Sequence, residues 1–435
     1  MKTKHIHFIG IGGIGMSALA RFYVHEGAKV TGSDRASSIV TEGLEALGIE
    51  ISYEQVAENI SSRRDLELVV YTEAMSHDHP EMLAARALGV QMVNYFEALG
   101  QVANEYYLIA VAGAHGKTTT TAMLTDILEE AGLDPTAIIG SLRSKTKSNF
   151  RAGMSKYAVV EACEYKRDFL HLTPDVLVIT NVEYEHVDYY KSLADVQDAF
   201  RTFALRVREG GVVVTNIADP NIAPVIKDLP VQVLDYRQQL DLTLALRQPG
   251  IHNRMNAAAA KAVALHLEVE SPVANTALEN FAGTWRRFEY KGDIIPVASL
   301  GGGLVPVYDD YGHHPTEIKM TIAGARELHP DKKLTVVFQS HTYTRTHELF
   351  SDFVRELVKA DRVVMLPIYA AREDNVSGVT SQQLVAEINT FGTDAQLFET
   401  IPAAALFVRE TVVGGDMVVV MGAGPVTEVA IELTK

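Results

Sequence analysis

One cysteine, Cys163, stands in 435 residues, which excludes an intramolecular disulfide and fits a reducing compartment. No stretch approaches the about 18 uninterrupted apolar residues of a membrane-spanning helix. The N-terminal stretch MKTKHIHFIGIGGIGMSALARF is broken by glycines and does not read as a secretory signal. A cytoplasmic location is expected. Long basic runs are also missing: 39 Lys and Arg stand against 55 Asp and Glu, a net charge of −16, so neither a nucleic acid nor an anionic membrane is expected as partner. Neither low-complexity segments nor repeats of about 20–50 residues occur.

What is present suits roughly two to four domains with packed cores, since 47% of the residues are hydrophobic. Short apolar runs alternate with helical patterns, as a parallel α/β sheet requires. HIHFIGI reads as a strand, GMSALARFYVHEG as a helix, KVTGSD and LELVVYTEAM as further strands. Between the first strand and its helix, GIGGIG fits G-x-G-x-x-G at Gly10, Gly12 and Gly15, and Asp34 ends the next strand. Such a turn offers backbone N–H groups and a helix N-terminus to a diphosphate, with an acid placed for a sugar or base. Alone it reads as a dinucleotide-dependent oxidoreductase, or as a tight turn that binds nothing.

A second α/β unit begins at EYYLIAVAGAHGKTTTTAMLTDILEEAG. Strand YLIAVAG enters a glycine-containing turn, and the following helix is expected to be amphipathic, with Met123, Leu124, Ile127, Leu128 and Ala131 on one face. Four consecutive threonines, Thr118 to Thr121, are poor helix formers, so a task other than helix stability is expected of them. The Lys117 ammonium can reach β- and γ-phosphates, turn N–H groups can cradle them, and the Thr118 hydroxyl can ligate Mg²⁺. The fit to the general phosphate-loop pattern is imperfect: Val111 stands where a glycine is expected, and Gly113 lies four positions before Lys117.

VVEACEY places Glu161 and Glu164 at a strand end, and VITNVEYEHVDYY places Asn181, Glu183, Glu185, His186 and Asp188 at another. Side chains leaving the C-terminal ends of neighbouring strands converge where an open α/β sheet binds its ligand, and hard oxygens with an imidazole suit Mg²⁺. Cys163, between two acids, is expected to be packing and not a nucleophile. Further on, GIHNRMNAAAA opens a helix with His252, Asn253 and Asn256, and an Asn amide can read adenine or merely cap the helix. In TWRRFE, of Arg286 and Arg287 one is expected to reach a phosphate and the other to be solvated. SLGGG near residue 300 reads as a hairpin or loop. DDYGHHPTE and SHTYTRT crowd polar residues at two strand-to-helix junctions; their histidines lack zinc-ligand spacing, and Arg345 can clamp a carboxylate.

Taken in order, HFIGIGGIGMSALA, AGAHGKTTTT, EACEY with TNVEYEHVDYY, GIHNRMNAAAA, RRFEYKG, DDYGHHPTEI and HTYTRT resemble the Mur ligases over nearly the whole chain. EACEY is most similar to the form found in many Gram-positive members that attach L-alanine. The resemblance implies an α/β, three-domain architecture: a Rossmann-like N-terminal domain (1–104) for a UDP sugar, a central P-loop-type ATPase domain (105–287) and a Rossmann-like C-terminal domain (288–435) for the amino acid. It implies ATP with Mg²⁺, two ions in number, and UDP-N-acetylmuramate and L-alanine as substrates, in a monomer or homodimer.

By the same resemblance Gly10, Gly12, Gly13, Gly15, Asp34 and Thr72 contact the UDP sugar. Gly113, His115, Gly116, Lys117, Thr118, Thr119, Asn253, Asn256, Arg287 and Asp310 contact ATP. Thr118, Glu161 and His186 hold metal. Tyr311, His341 and Arg345 receive the amino acid, and Lys117, His186 and Arg345 carry the catalysis. Departures from the family pattern are Cys163 in place of Asp, NYFEAL without the usual Arg, Ser340 in place of Pro, and a short stretch between Asn216 and His252. Arg201 lies near where some relatives have a modified lysine. Alternatives left open are a relative that attaches murein tripeptide to the same UDP sugar, a dinucleotide-dependent oxidoreductase, and a non-catalytic UDP-sugar sensor.

Overall fold

The computed structural model of the chain describes residues 4–187, 189–295, 303–371 and 373–435. Asp188, and all of SLGGG except Gly303, lie outside the described residues. Three sheets follow one another along the chain, each built from strand–helix alternation.

The first sheet contains β1 (His5–Ile9), β2 (Lys29–Ser33), β3 (Glu50–Ser52), β4 (Leu66–Tyr71) and β5 (Gln91–Asn94). Its order is β3-β2-β1-β4-β5, with every pair parallel, and it reverses direction beside β1. That reversal is where an open α/β sheet binds its ligand, at the strands' C-terminal ends.

The second sheet holds β6 (Tyr107–Ala112), β7 (Thr136–Arg143), β8 (Ser148–Arg151), β9 (Tyr157–Glu161), β10 (Val176–Ile179), β11 (Val212–Thr215) and β12 (Gln232–Asp235). The order is β12-β11-β10-β6-β9-β7-β8, parallel except for the β7–β8 hairpin. Strands β10 and β11 are buried at every residue, the pattern of a parallel sheet covered on both faces. The short stretch before His252 contributes one strand, β12, and two single turns of helix.

The helix Lys117–Glu130 departs from the amphipathic expectation: every residue from Thr118 to Leu128 is buried. It lies between its own sheet and the helix Ser271–Asn280, so it has no solvent face. Its hydroxyls are accommodated by back-bonding, Thr121 Oγ1 donating to the Lys117 carbonyl at 2.9 Å and Thr125 Oγ1 to the Thr121 carbonyl at 2.7 Å. Arg143 reaches in from β7 to neutralise the buried Asp126.

The third sheet contains β13 (Glu289–Ile294), β14 (Val305–Asp310), β15 (Lys333–Phe338), β16 (Arg362–Met365), β17 (Asp394–Leu397) and β18 (Asp416–Met421). Its order is β13-β14-β18-β15-β16-β17, with only β13 antiparallel. Leu334, Val336 and Phe338 enter one core with Ile318 and Phe353, while Val337 enters another with Val408 and Val429. The strand period of two thus supplies both covered faces.

Chain contacts divide the molecule into two compact units. The first holds the two N-terminal sheets (residues up to Glu185, Ser192–Asp241 and Asn256–Phe281), and the second holds the third sheet with His186–Lys191, Leu242–Met255 and Ala282–Lys435. The first two sheets share a unit because the β7–β8 hairpin packs on the helix Ile14–His25.

Candidate active site

In the first unit the glycine turn leaves β1 and enters the helix Ile14–His25, whose first turn has no acidic residue to oppose an anion. Gly10 has φ +82°, and a Cβ there would meet Thr72 Cγ2 at 2.6 Å, so Thr72 walls the turn closely. Gly13 occupies the N-cap position. Asp34 is engaged with the turn's own backbone. Its two oxygens accept from the backbone N–H of Gly12 and of Arg35, both at 2.7 Å, and so close the turn from below. Tyr95, absent from the sequence-based set, stands so near Gly15 that a Cβ there would lie 2.6 Å from its ring.

The glycine-containing loop before Lys117 leaves β6, central in the second sheet, and is flanked by β10 and β9. Three strand ends thus carry the loop, Thr180–Asn181 and Glu161–Glu164 on one edge, as expected. Thr180 Oγ1 and Asn181 Nδ2 donate to the His115 carbonyl at 2.6 and 2.9 Å, and the His115 N–H donates to Asn181 Oδ1 at 2.9 Å. Asn181 therefore fixes the loop's crest, a role the sequence left unassigned. His115 itself is buried, with Nε2 3.5 Å from a Glu183 oxygen. Gly116 has φ +85°, and a Cβ would come within 2.3 Å of Asn256 Oδ1, so both conformation and space require glycine there.

Lys117 does not point into open space. Its Nζ donates to the carbonyls of Gly113 and Ala114 and to Glu164, with the two Glu164 oxygens 3.0 and 2.9 Å away. Burial opposes the charge, but Glu164, with Glu185 and Glu161 beyond, outweighs it and holds the lysine pKa above its ordinary value. Thr118 Oγ1 donates to Glu161 Oε1 at 3.1 Å, and the other Glu161 oxygen accepts from the Gly140 N–H at 2.8 Å. Thr119 is buried in the same first turn. Burial, reinforced by Glu164, pushes the Cys163 thiol up to about 12, which agrees with a packing role.

The second unit presents its own constellation at the C-terminal ends of β14, β15, β16 and β18. Asp310 is buried and engaged: it accepts from the N–H groups of Phe288 and Gly312, both at 2.8 Å, and from Thr321 Oγ1 at 3.2 Å. Burial raises its pKa against the pull of Arg287. The arginine pair divides otherwise than expected. Arg286 is not solvated but buried, bonded to the carbonyls of Gly422 and Gly424 and 3.2 Å from Asp309, because it ties the ends of β14 and β18 together. Arg287 is the more exposed of the two and lies 3.6 Å from Glu317.

Tyr311 lies under both guanidinium groups, at 5.2 and 5.3 Å. A line of rings continues from Tyr311 through His313 and His341 to Tyr369, with centroids 5.3, 5.7 and 5.8 Å apart. His341 is pushed down to about 4 by burial and by Arg345, so it is neutral at pH 7. Three buried polar atoms here, Gln339 Oε1, His341 Nδ1 and Arg345 Nη1, have no hydrogen-bond partner among the described residues. Thr342, between His341 and Arg345's helix, has φ +67°, a strained conformation for a β-branched residue. Asn253 donates to the Pro249 carbonyl at 2.8 Å, and His186 adopts φ +52° with its carbonyl accepting from the N–H groups of Tyr189 and Tyr190.

Comparison with known proteins bears on the whole chain. Residues 5–107 match the Mur ligase family catalytic domain, 111–240 the Mur ligase middle domain and 286–424 the Mur ligase glutamate ligase domain. A UDP-N-acetylmuramate–L-alanine ligase of Agathobacter rectalis is 38% identical over 462 aligned positions, covering 100% of this chain and 98% of that one. The crystal structure of UDP-N-acetylmuramate–alanine ligase MurC from Thermotoga maritima superposes with a TM-score of 0.81 at 27% identity, covering 99% of this chain and 98% of the other. A murein peptide ligase from Psychrobacter arcticus shares the fold, with a TM-score of 0.72 at 22% identity over 99% of both chains. With its three domain types in order and a full-length relative at 38% identity, the chain belongs to the Mur ligase family.

Proposed function

We propose that this chain joins L-alanine to the lactyl carboxylate of UDP-N-acetylmuramate at the expense of ATP, in peptidoglycan precursor synthesis. The observation that carries the reading is the full-length 38% identity to an L-alanine ligase, in a chain whose phosphate loop keeps its lysine, threonine and strand-end glutamate in register. Domain limits near residues 104 and 287, a cytoplasmic location and a monomer or homodimer belong to the same proposal.

The chemistry follows from charge. A carboxylate is a poor electrophile, so its oxygen attacks the γ-phosphorus, ADP leaves, and an acyl phosphate forms. The alanine nitrogen, as the free amine, then attacks the acyl carbon, inorganic phosphate leaves with the bonding pair, and the nitrogen gives up one proton. In the first step two anions meet, and Lys117 at the helix N-terminus supplies fixed positive charge to the transferring phosphoryl group.

The Thr118 and Glu161 oxygens fit a magnesium ion: two neighbouring ligands of an octahedral ion with bonds of about 2.1 Å stand about 3.0 Å apart, and these two oxygens are 3.1 Å apart. Bound there, Mg²⁺ supplies charge neutralisation at the phosphates. His186 is assigned to a second ion, Gly113, His115, Gly116, Thr119, Asn253, Asn256, Arg287 and Asp310 to ATP, and Tyr311, His341 and Arg345 to L-alanine. The glycine turn with Asp34 and Thr72 takes the UDP sugar.

The test is release of ADP with UDP-N-acetylmuramate and Mg²⁺, with L-alanine, L-serine, glycine or murein tripeptide added in turn. Release dependent on L-alanine, with the amide product, is expected. Turnover with tripeptide but not alanine would move the chain to the murein peptide ligases, and sugar binding without any turnover would make it a sensor.

A further inference from the structure

The Lys117 ammonium is surrounded by protein oxygens. Two loop carbonyls and both oxygens of Glu164 surround it, and Glu164 has only 2% of its side chain exposed. A buried carboxylate at this distance stands where an anion would meet the lysine, and it adds negative charge beside the place proposed for the γ-phosphate. A residue that served phosphoryl transfer by attraction alone would not be an acid. We infer that Glu164 is a positioning residue, a latch that occupies the Lys117 ammonium in the nucleotide-free protein and yields it only when the arriving nucleotide carries its own divalent cation.

Glu164 and the nucleotide phosphates compete for one ammonium. Metal-free ADP or ATP must compete with Glu164 for Lys117 and brings its phosphate charge beside a buried carboxylate, which is costly. A cation accompanying the nucleotide offsets both charges, so the latch opens. Glu164 thereby makes nucleotide affinity depend on metal more steeply than a lysine-only loop does. The inference rests on the phosphate-loop reading above.

Calorimetric titration of ADP into the full-length protein, in EDTA and again in Mg²⁺, tests it with wild type, Glu164→Gln, Lys117→Ala and the double variant. Glu164→Gln is expected to tighten metal-free ADP binding on the order of tenfold and to shrink the gain that Mg²⁺ brings. In the Lys117→Ala background the same change should matter less, because there is no ammonium to release, and the cycle isolates that coupling. Thermal melting confirms that each variant is folded, and Glu164→Asp, which keeps the charge but shortens the reach, should fall between wild type and Glu164→Gln. ADP binding lost in Lys117→Ala yet unaltered in metal-free Glu164→Gln overturns the latch alone. ADP binding unaltered in Lys117→Ala overturns the phosphate-loop reading and the latch together. Weakened Mg-ADP binding in Glu164→Gln, with metal-free binding unchanged, makes Glu164 a metal ligand instead.

Discussion

Asn149, on the β7–β8 hairpin of the second sheet, donates its Nδ2 to the main-chain carbonyl of Ile14 and, at 2.8 Å, to Ser17 Oγ in the first turn of the glycine-turn helix. The same hairpin begins with the strand whose Gly140 N–H binds Glu161. The backbone that orients a proposed metal ligand is therefore continuous with the residue that grips the proposed UDP-sugar helix. Asn149 is fully buried, so its replacement leaves the Ile14 carbonyl and the Ser17 hydroxyl without it. Asn149→Ala should destabilise the protein by about 1–3 kcal/mol, read by urea unfolding. An unchanged midpoint and slope would show the contact to be dispensable.

A second prediction concerns acid. His7 is buried in β1, 2.9 Å from Thr31 Oγ1 and 3.7 Å from Glu81. Burial lowers the His7 pKa below its ordinary 6.5, against the pull of Glu81. For Glu81 burial acts upward, but the nearby His7 and hydrogen bonds from Asn59 and Ser33 outweigh it and hold its pKa below 4.5. As pH falls below 6.5 the unfolded chain takes up a proton that folded His7 refuses, so stability is lost. Below 4.5 Glu81 adds a second loss in the same direction. For one group the slope is at most about 1.4 kcal/mol per pH unit. Unfolding free energies at pH 7.5 and 5.5 should fall more in wild type than in His7→Gln, and equal falls would remove His7 from the account.

Metal dependence gives a third. Glu161 shares a 3.1 Å contact with Thr118, and His186 is held in a left-handed conformation of the kind that accumulates at functional sites. Loss of groups one shell out from a metal typically costs about 10–100-fold in affinity, so Glu161→Ala and His186→Ala should each raise the Mg²⁺ needed for half-maximal turnover at least about tenfold. Unchanged metal titrations in both would take them out of the site.

How far the sequence carried this reading depends on how local each signal is. The two glycine turns and their strands were legible because strand, glycines and helix start stand within a few residues of one another, with Lys117 added at the second. Arg286 misled because adjacent arginines look alike in a string; its burial depends on Gly422 and Gly424, brought close only by the β14–β18 pairing. Asp34 was recognised as part of the turn, but which way its carboxylate faces is set by the Gly12 N–H across two strands. Asn149 gave no signal at all, since its partners lie more than a hundred residues away. The buried threonine helix was misread as amphipathic because periodicity cannot show that a second helix, Ser271–Asn280, packs against it.

The last prediction concerns Arg345. Its Nη1 is buried without a partner among the described residues, as are His341 Nδ1 and Gln339 Oε1. Together these offer a cation's N–H, a neutral imidazole and an amide acceptor, which suits a zwitterion: the planar guanidinium fork matches a carboxylate, and an acceptor suits an amine. Burying an unsatisfied guanidinium nitrogen is unfavourable, so a ligand that satisfies it gains what the free protein forgoes. Arg345→Ala should leave ATP and UDP-sugar binding nearly intact and lower kcat/KM for alanine by roughly 10- to 150-fold, the equivalent of about 1.5–3 kcal/mol for a charge-assisted pair. Arg345→Lys should recover only part, because a point charge cannot reproduce the fork. Steady-state kinetics with alanine varied and the other substrates saturating decides the matter: a wild-type kcat/KM in Arg345→Ala refutes the assignment, and a loss confined to KM for ATP moves Arg345 to the nucleotide.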